Sequence, residues 1–260
     1  MIKKHPLTHI SVPTTFFRAI GLGLLLTATM VQPAFSDSIS TDRPDFTEGT
    51  HTVSPRTLQC ENGLTFSSDL SNSYGELLLR WGLLEGIELR LGLPDLLTEE
   101  NEPGAFSDTG LGLKFHLFTP EAPGWVPESS LIIETPLPTG TTRFRLSDTQ
   151  QQAKLCLNWD SGSTWEVGAN LMYGQVGIDE NRFGQFSSSA VFGVGLSDIW
   201  GIFLETYGFF PGDLSGKPAI NFDAGLTALV SDDIQLDIRI GKEVDGASFF
   251  GLGTAFRLKL

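Results

Sequence analysis

The stretch that decides the fold lies near the end of the chain and reads Ile234-Gln235-Leu236-Asp237-Ile238-Arg239-Ile240. Apolar residues alternate in it with polar or charged ones, which is the period of a β-strand and not of a helix. One face of the strand is therefore wholly apolar, and the other carries an amide, an acid and a base. Transmembrane β-barrels alternate in this way between lipid and lumen.

The same alternation recurs along residues 57–260 and predicts an all-β fold, a transmembrane up-and-down antiparallel barrel of about twelve strands. The predicted strands span residues 57–67, 75–83, 87–93, 110–117, 131–135, 152–159, 165–173, 190–196, 200–205, 220–228, 234–240 and 252–260. The fifth of these is weak and ends at Pro136.

The links between the predicted strands differ in length at the two ends. Tight turns follow most even-numbered strands, near Glu85, Asp160, Asp198 and Asp232. Longer polar or Gly-rich links follow odd-numbered strands, at residues 94–107, 136–149, 174–186 and 210–217. Short periplasmic turns and long external loops have this asymmetry. The long link at 119–129 is an exception.

The tryptophans give an independent indication. Four of them, Trp81, Trp159, Trp165 and Trp200, lie near predicted periplasmic turns, and Trp125 lies within the long link on the same side. An aromatic girdle at a membrane interface clusters in this way. The alternative, an exported soluble β-sandwich, gives its core tryptophans no reason to favour one end.

Residues 1–36 have the features of a secretory signal peptide. A basic lead with Lys3, Lys4 and Arg18 accompanies an apolar run at 19–31, and the small residues Ala34 and Ser36 predict cleavage after Ser36. An apolar run of about 13 residues is short for a membrane-spanning helix, which needs roughly 20. Removal of three basic and no acidic residues changes the net charge from −14 to −17. Such a charge argues against binding to nucleic acid or to anionic lipid.

The two cysteines, Cys60 and Cys156, are predicted to remain unpaired. The strand parity places Cys60 on the outward face of the first strand and Cys156 on the inward face of the sixth. Two thiols on opposite faces of a barrel wall cannot approach to disulfide distance.

Residues 37–56 form a pre-barrel segment, expected to be periplasmic, that contains Thr41-Asp42-Arg43-Pro44-Asp45-Phe46-Thr47-Glu48. This motif resembles the TDRPDFTE opening of the outer-membrane barrels labelled for the MetA pathway of phenol degradation. The resemblance implies a location in a Gram-negative-type outer membrane, contact with its lipid, and a role as a transporter or channel for a small solute. Insertion by the barrel-assembly machinery is the corresponding expectation.

Two arrangements of this segment are compatible with the sequence. The segment can insert Arg43 into the acidic lumen from the periplasmic side. It can also remain a solvated tail, in which a local Asp–Arg pair contributes little to stability.

The inward face of the predicted strands carries charges of both signs, which either line a water-filled solute path or pair across the interior and close it. We expect Glu76 and Arg80 to lie near Glu88 and Arg90. The other candidate lumen residues are Lys114, His116, Glu134, Lys154, Glu166, Glu205, Asp223, Asp237, Arg239, Arg257 and Lys259, and Asp237 and Arg239 are expected near Arg257 and Lys259.

The sequence offers little for catalysis. His116 is the one histidine within the predicted strands, and no serine motif accompanies it. Cys and His residues do not cluster at metal-ligand spacing, and no phosphate-binding loop precedes a helix. We therefore expect no enzyme, cofactor or metal. The function predicted is passive transport of a small solute, and the resemblance implies a hydrophobic or aromatic one; a purely structural barrel and a lipid-acting barrel enzyme are the alternatives.

A heat-modifiable gel shift tests the barrel prediction. After extraction from outer membranes, the unboiled protein should migrate differently from the boiled protein, because folded barrels resist detergent until heated. Release of the protein from membranes by a carbonate or urea wash would instead favour the soluble sandwich.

Overall fold

The computed structural model describes residues 38–146, 149–162, 164–178, 181–212 and 217–260, with the backbone alone described at 176–178 and 181–183. The predicted signal peptide at 1–36 lies outside these residues. The strands are β1 (Thr57–Ser67), β2 (Asn72–Leu84), β3 (Ile87–Gly92), β4 (Leu96–Thr98), β5 (Ala105–Phe106), β6 (Thr109–Phe118), β7 (Glu128–Leu137), β8 (Gln152–Asp160), β9 (Trp165–Ile178), β10 (Asn181–Gly195), β11 (Trp200–Pro211), β12 (Ala219–Ser231), β13 (Ile234–Glu243) and β14 (Ser248–Lys259).

Twelve of these strands form a closed antiparallel barrel. Strands that follow each other along the chain pair side by side, β3 pairs with β6, and β1 pairs with both β2 and β14, which closes the sheet. The short strands β4 and β5 belong to the connection between β3 and β6, where β4 pairs with the start of β2. The prediction of a twelve-stranded up-and-down barrel is confirmed.

Two strand predictions need correction. The weak fifth strand is longer than predicted: β7 runs through Pro136, which pairs with Gly110, because a proline removes only its own N–H group from the ladder. The long link predicted at 174–186 is also wrong. Strands β9 and β10 extend to Ile178 and from Asn181, because the polar and glycine residues of this stretch continue the pairing.

The barrel is apolar outside and polar inside. Along β13, Ile234, Leu236, Ile238 and Ile240 are exposed, while Gln235, Asp237 and Arg239 are buried. A soluble β-sandwich buries its apolar face, so this arrangement excludes it and defines a transmembrane barrel. Among the described residues, no helix has the length and apolar character needed to cross a bilayer.

The tryptophans mark one end of the barrel. We call this end, which carries the connections at 85–86, 119–127, 161–164, 196–199 and 232–233, the turn end, and the opposite end the loop end. Trp81, Trp165 and Trp200 are exposed near these connections, and the Trp159 indole donates to the Trp125 carbonyl oxygen at 3.0 Å. The predicted girdle therefore surrounds the turn end.

The two cysteines are unpaired, as predicted. Both thiols are buried and free. Cys60 pairs in register with Leu79 and Phe256, whereas Cys156 lies between Lys154 and Asn158 on the buried side of β8.

At the loop end, two connections pack against each other. Leu97 and Ala105 form a small buried cluster with Phe144 from the connection between β7 and β8. The Asp108 carboxylate accepts the N–H groups of Gly140 at 2.7 Å and Leu146 at 2.8 Å, which fixes the second connection on the first.

The outward face of β13 provides a test of its lipid contact. Ile238→Arg places a charge at mid-strand and should lower the free energy of unfolding by roughly 2–4 kcal/mol. Ile234→Arg, at the turn end, should cost about 0–1 kcal/mol because the charge reaches the interface. Equilibrium unfolding in lipid bilayers measures both, and equal costs would contradict a hydrocarbon contact at Ile238.

Candidate functional site

The pre-barrel segment lies inside the barrel. Residues 41–50 are all buried, so the solvated-tail arrangement is wrong for them. At the turn end the Ile39 N–H donates to the Asp232 carbonyl oxygen at 2.6 Å, and the Val53 N–H donates to Glu88 Oε2 at 2.8 Å. The segment thus enters and leaves at the same end, and we call residues 39–53 the plug.

Asp42 anchors the plug on the basic part of the wall. Its carboxylate binds Arg90 Nη1, lies 3.1 Å from Lys114 Nζ and lies 3.4 Å from Arg80 Nη1. Its N–H donates to the Glu61 carboxylate at 2.9 Å. Burial alone would raise the pKa of Asp42, but the charges of Arg80, Lys114 and Arg90 outweigh burial and lower it below its ordinary value. Asp42 is therefore an anion at neutral pH.

Arg43 crosses to the acidic part of the wall. Its Nη1 lies 2.7 Å from Glu76 Oε2, and its Nη2 lies 3.7 Å from Asp237 Oδ1. The guanidinium lies against Gly63 and Gly253, where a Cβ atom would come within 2.3 Å and 2.6 Å of it. Glycine at these two positions makes room for the plug.

A β-bulge turns Glu76 toward Arg43. In the β1–β2 ladder the register shifts between Glu61 and Gly63, and Gly75 and Glu76 have φ angles of 109° and 30°. A non-glycine residue in this left-handed region is uncommon and persists only where the surrounding structure holds it. Here the bulge lets the Glu76 carboxylate bind the plug.

Phe46 and Thr47 bind strand β11. The N–H groups of Phe46 and Thr47 each donate to the Glu205 carboxylate at 2.6 Å, and the Thr47 hydroxyl donates to the same group. The Phe46 ring is stacked on Tyr207, with centroids 4.5 Å apart, and meets the edge of Phe209 at 5.4 Å.

Glu48 returns the plug to the basic side. Its carboxylate lies 3.0 Å from Arg90 Nη2 and 2.6 Å from Lys154 Nζ. The Asn170 amide accepts the Glu48 N–H at 2.6 Å and donates to the Glu48 carbonyl oxygen at 2.9 Å. The plug backbone is therefore held as firmly as its side chains.

The predicted lumen residues fall into two groups. Those that contact the plug are Glu76, Arg80, Glu88, Arg90, Lys114, His116, Lys154, Glu205 and Asp237. The others are Glu134, which binds Arg90 at 3.1 Å; Glu166, which accepts from Asn158 at 3.1 Å; Asp223 and Arg239, which lie 3.7 Å apart; Arg257, which binds Asp233 at 2.7 Å; and Lys259, which is exposed.

One of the two predicted cross-strand groups forms in part. Arg80 and Arg90 each lie 2.8 Å from Glu88, as the sequence predicted, whereas Glu76 binds Arg43 of the plug. The grouping of Asp237 and Arg239 with Arg257 and Lys259 is wrong. The register pairs Asp237 with Gly253 and Arg239 with Gly251, which leaves Arg257 near the turn at Asp233.

Sequence reasoning missed several residues of the site. Gly63 and Gly253 face the plug, but glycine carries no chemical signal of its own. Phe46, Tyr207 and Phe209 were not singled out as site residues, although the parity of Glu205 places Tyr207 and Phe209 on the same inward face. Pro44 and Asp45, the remaining motif residues, are buried with the rest of the plug.

His116 lies in a polar cluster at the end of the plug. Its Nδ1 lies 3.4 Å from Ser130 Oγ and 3.9 Å from Glu128 Oε1, and its Nε2 lies 2.8 Å from the Thr119 hydroxyl. The Ser130 hydroxyl donates to the Thr50 carbonyl oxygen. This cluster clamps the end of the plug.

These features define a transmembrane β-barrel whose lumen is occupied by its own N-terminal plug. Residues 41–258 match the family described as "Putative MetA-pathway of phenol degradation", and the chain belongs to this family. No curated protein matched the sequence.

Solved structures with the same fold are outer-membrane channels and porins. The COG4313 outer membrane channel from Pseudomonas putida F1 aligns with a TM-score of 0.62 and 11% identity over 88% of this chain and 100% of that chain. The NanC porin aligns with a TM-score of 0.58 and 11% identity over 77% of this chain and 100% of that chain. The KdgM porin aligns with a TM-score of 0.53 and 10% identity over 76% of this chain and 98% of that chain. These identities bear on the fold alone.

Loss of one buried charge should loosen the plug. Arg90→Gln leaves Asp42 and Glu48 without their shared cation and should reduce the free energy of plug opening by roughly 3–5 kcal/mol. Amide hydrogen exchange at residues 42–48 measures this opening. Arg143→Gln, which breaks a partly exposed pair with Glu99, should cost less than about 1 kcal/mol and leave the plug exchange unchanged. Equal exchange in the two variants would contradict the role of Arg90.

Proposed function

We propose that the protein is an outer-membrane channel through which a small, hydrophobic or aromatic solute diffuses passively, and that the plug closes the lumen. Its export by a signal peptide cleaved after Ser36 is part of the proposal. Cleavage there leaves the mature chain beginning two residues before Ile39, which itself lies at the turn end. The barrel-assembly machinery would then insert the barrel with that end toward the periplasm.

The observation that carries the proposal is the nature of the contacts inside the barrel. The lumen is filled by a chain segment held mainly through ion pairs and hydrogen bonds, such as those of Asp42, Arg43 and Glu48, and not through an apolar core. An apolar interior cannot admit water, whereas charged wall residues can exchange their plug partners for water when the plug moves. The wall is therefore suited to a closed and an open state.

The size of the barrel supports the same proposal. An eight-stranded barrel is filled by its own side chains, and porins of 16–18 strands leave an aqueous channel. A twelve-stranded barrel lies between them, so its lumen accommodates either an extended chain segment or a small solute. The named structural neighbours are described as channels and porins, which agrees with this function.

Single-channel recording in planar bilayers tests the channel. The variant Asp42→Asn with Arg43→Gln removes the two central charges of the plug while keeping polar side chains, so it should conduct more, or for longer, than the parent protein. His51→Gln, at an exposed position of the plug outside its buried ion pairs, is the matched control and should behave as the parent does. Heat-modifiable mobility verifies that each variant is folded.

If neither the parent nor the double variant conducts, the channel function is overturned. Equal conductance of the parent and the double variant would leave a channel but contradict the plug as its gate.

A further inference from the structure

The inward face of β11 carries several aromatic rings. Phe203, Glu205, Tyr207 and Phe209 occupy alternate positions on the lumen side of this strand. The corresponding face of β13 carries Gln235, Asp237 and Arg239. Aromatic side chains in a polar lumen need an apolar partner, because exposure to water loses the favourable free energy of burying their surface.

Phe46 of the plug supplies that partner. Its ring stacks on Tyr207 at 4.5 Å with an interplanar angle of 13°, and Phe209 meets it edge-on at 80°. Lys154 Nζ lies 5.5 Å from the centroid of the same ring, within the range of a cation–π contact. The ring is thus enclosed by two aromatic side chains and a cation of the wall.

A hydrogen-bond acceptor lies directly beside the Phe46 ring. The Glu205 carboxylate is on the same strand and receives the N–H group of Phe46 at 2.6 Å. Phe46 therefore presents to the wall a six-membered aromatic ring with a hydrogen-bond donor close to it. Every group that receives it, Lys154 on β8 and Glu205, Tyr207 and Phe209 on β11, belongs to the barrel wall and not to the plug.

We propose that Glu205, Tyr207 and Phe209 form a binding site for a small single-ring aromatic solute that carries a hydroxyl or similar donor, and that Phe46 occupies this site while the plug is docked. This inference rests on the proposed function, whose solute class it specifies. The solute ring would stack on Tyr207, and its hydroxyl would donate to Glu205.

Solute and docked plug then exclude each other. Because the plug is covalently attached, its effective concentration at the site is high, and free solute competes poorly with it in the parent protein. A solute that binds only when Phe46 has left shifts the population toward the undocked plug. The site would thereby couple the presence of solute to opening.

Binding to the vacated site tests the proposal. Phe46→Ala removes the competing ring but keeps the backbone N–H, and calorimetric titration of the purified barrel in nanodiscs uses three probes of similar size. Phenol has a ring and a donor, cyclohexanol has the donor without the aromatic face, and toluene has the ring without the donor. We expect phenol to bind Phe46→Ala more tightly than the parent and more tightly than either other probe binds.

The double variant Phe46→Ala with Tyr207→Leu is the matched control, because it keeps the apolar volume and loses the stacking face. Phenol should bind it about 2- to 10-fold more weakly than it binds Phe46→Ala, the range expected for one aromatic pair. Equal phenol affinity in the two variants, or equal affinity of phenol and cyclohexanol for Phe46→Ala, would overturn the site and leave Phe46 as a plug anchor.

The test is separate from that of the channel. Phenol binding is measured without current, so a barrel that conducts but does not bind phenol refutes this site alone. A barrel that binds phenol but never conducts keeps the site and refutes the channel.

Discussion

The structure depends on the matching of buried charge between the barrel wall and its own N-terminal segment. Arg80, Arg90 and Lys114 converge on one side of the lumen, where Asp42 pairs with all three, and Arg43 pairs with Glu76 and Asp237 on another side. A charge left alone in such an interior costs several kcal/mol. The plug and the wall therefore complete each other's ion pairs, since Lys114 pairs with Asp42 and Glu76 pairs with Arg43.

The same matching allows the plug movement that the proposed function requires. Ion pairs taken out of water add little net stability, because desolvation offsets much of the attraction. Ion pairs therefore determine where the plug binds, but they hold it less tightly than an apolar core would. The exception is Phe46, whose aromatic contacts with Tyr207 and Phe209 give one apolar point of attachment at the far side of the lumen.

Much of the barrel could be predicted from sequence, since two-residue alternation states directly which side of each strand faces lipid. Ile238 and Arg239 were assigned to opposite faces by that rule, and the structure places them so. Contacts between distant segments have no such period. The partner of Asp237 turned out to be Arg43 and not Arg257, because the register of β13 on β14 and the path of the plug decide it. The Phe46 site likewise joins residues far apart in the chain, which alternation cannot bring together.

The central claim is that the plug occupies the lumen of the folded protein, and a pair of cysteines tests it most directly. Thr47 Oγ1 lies 2.8 Å from Ser189 Oγ on β10. With Cys60→Ala and Cys156→Ala as background, Thr47→Cys and Ser189→Cys should form a disulfide in native outer membranes, detected as loss of thiol labelling after denaturation. Free labelling of both cysteines in a barrel that is folded by its gel mobility would contradict the account.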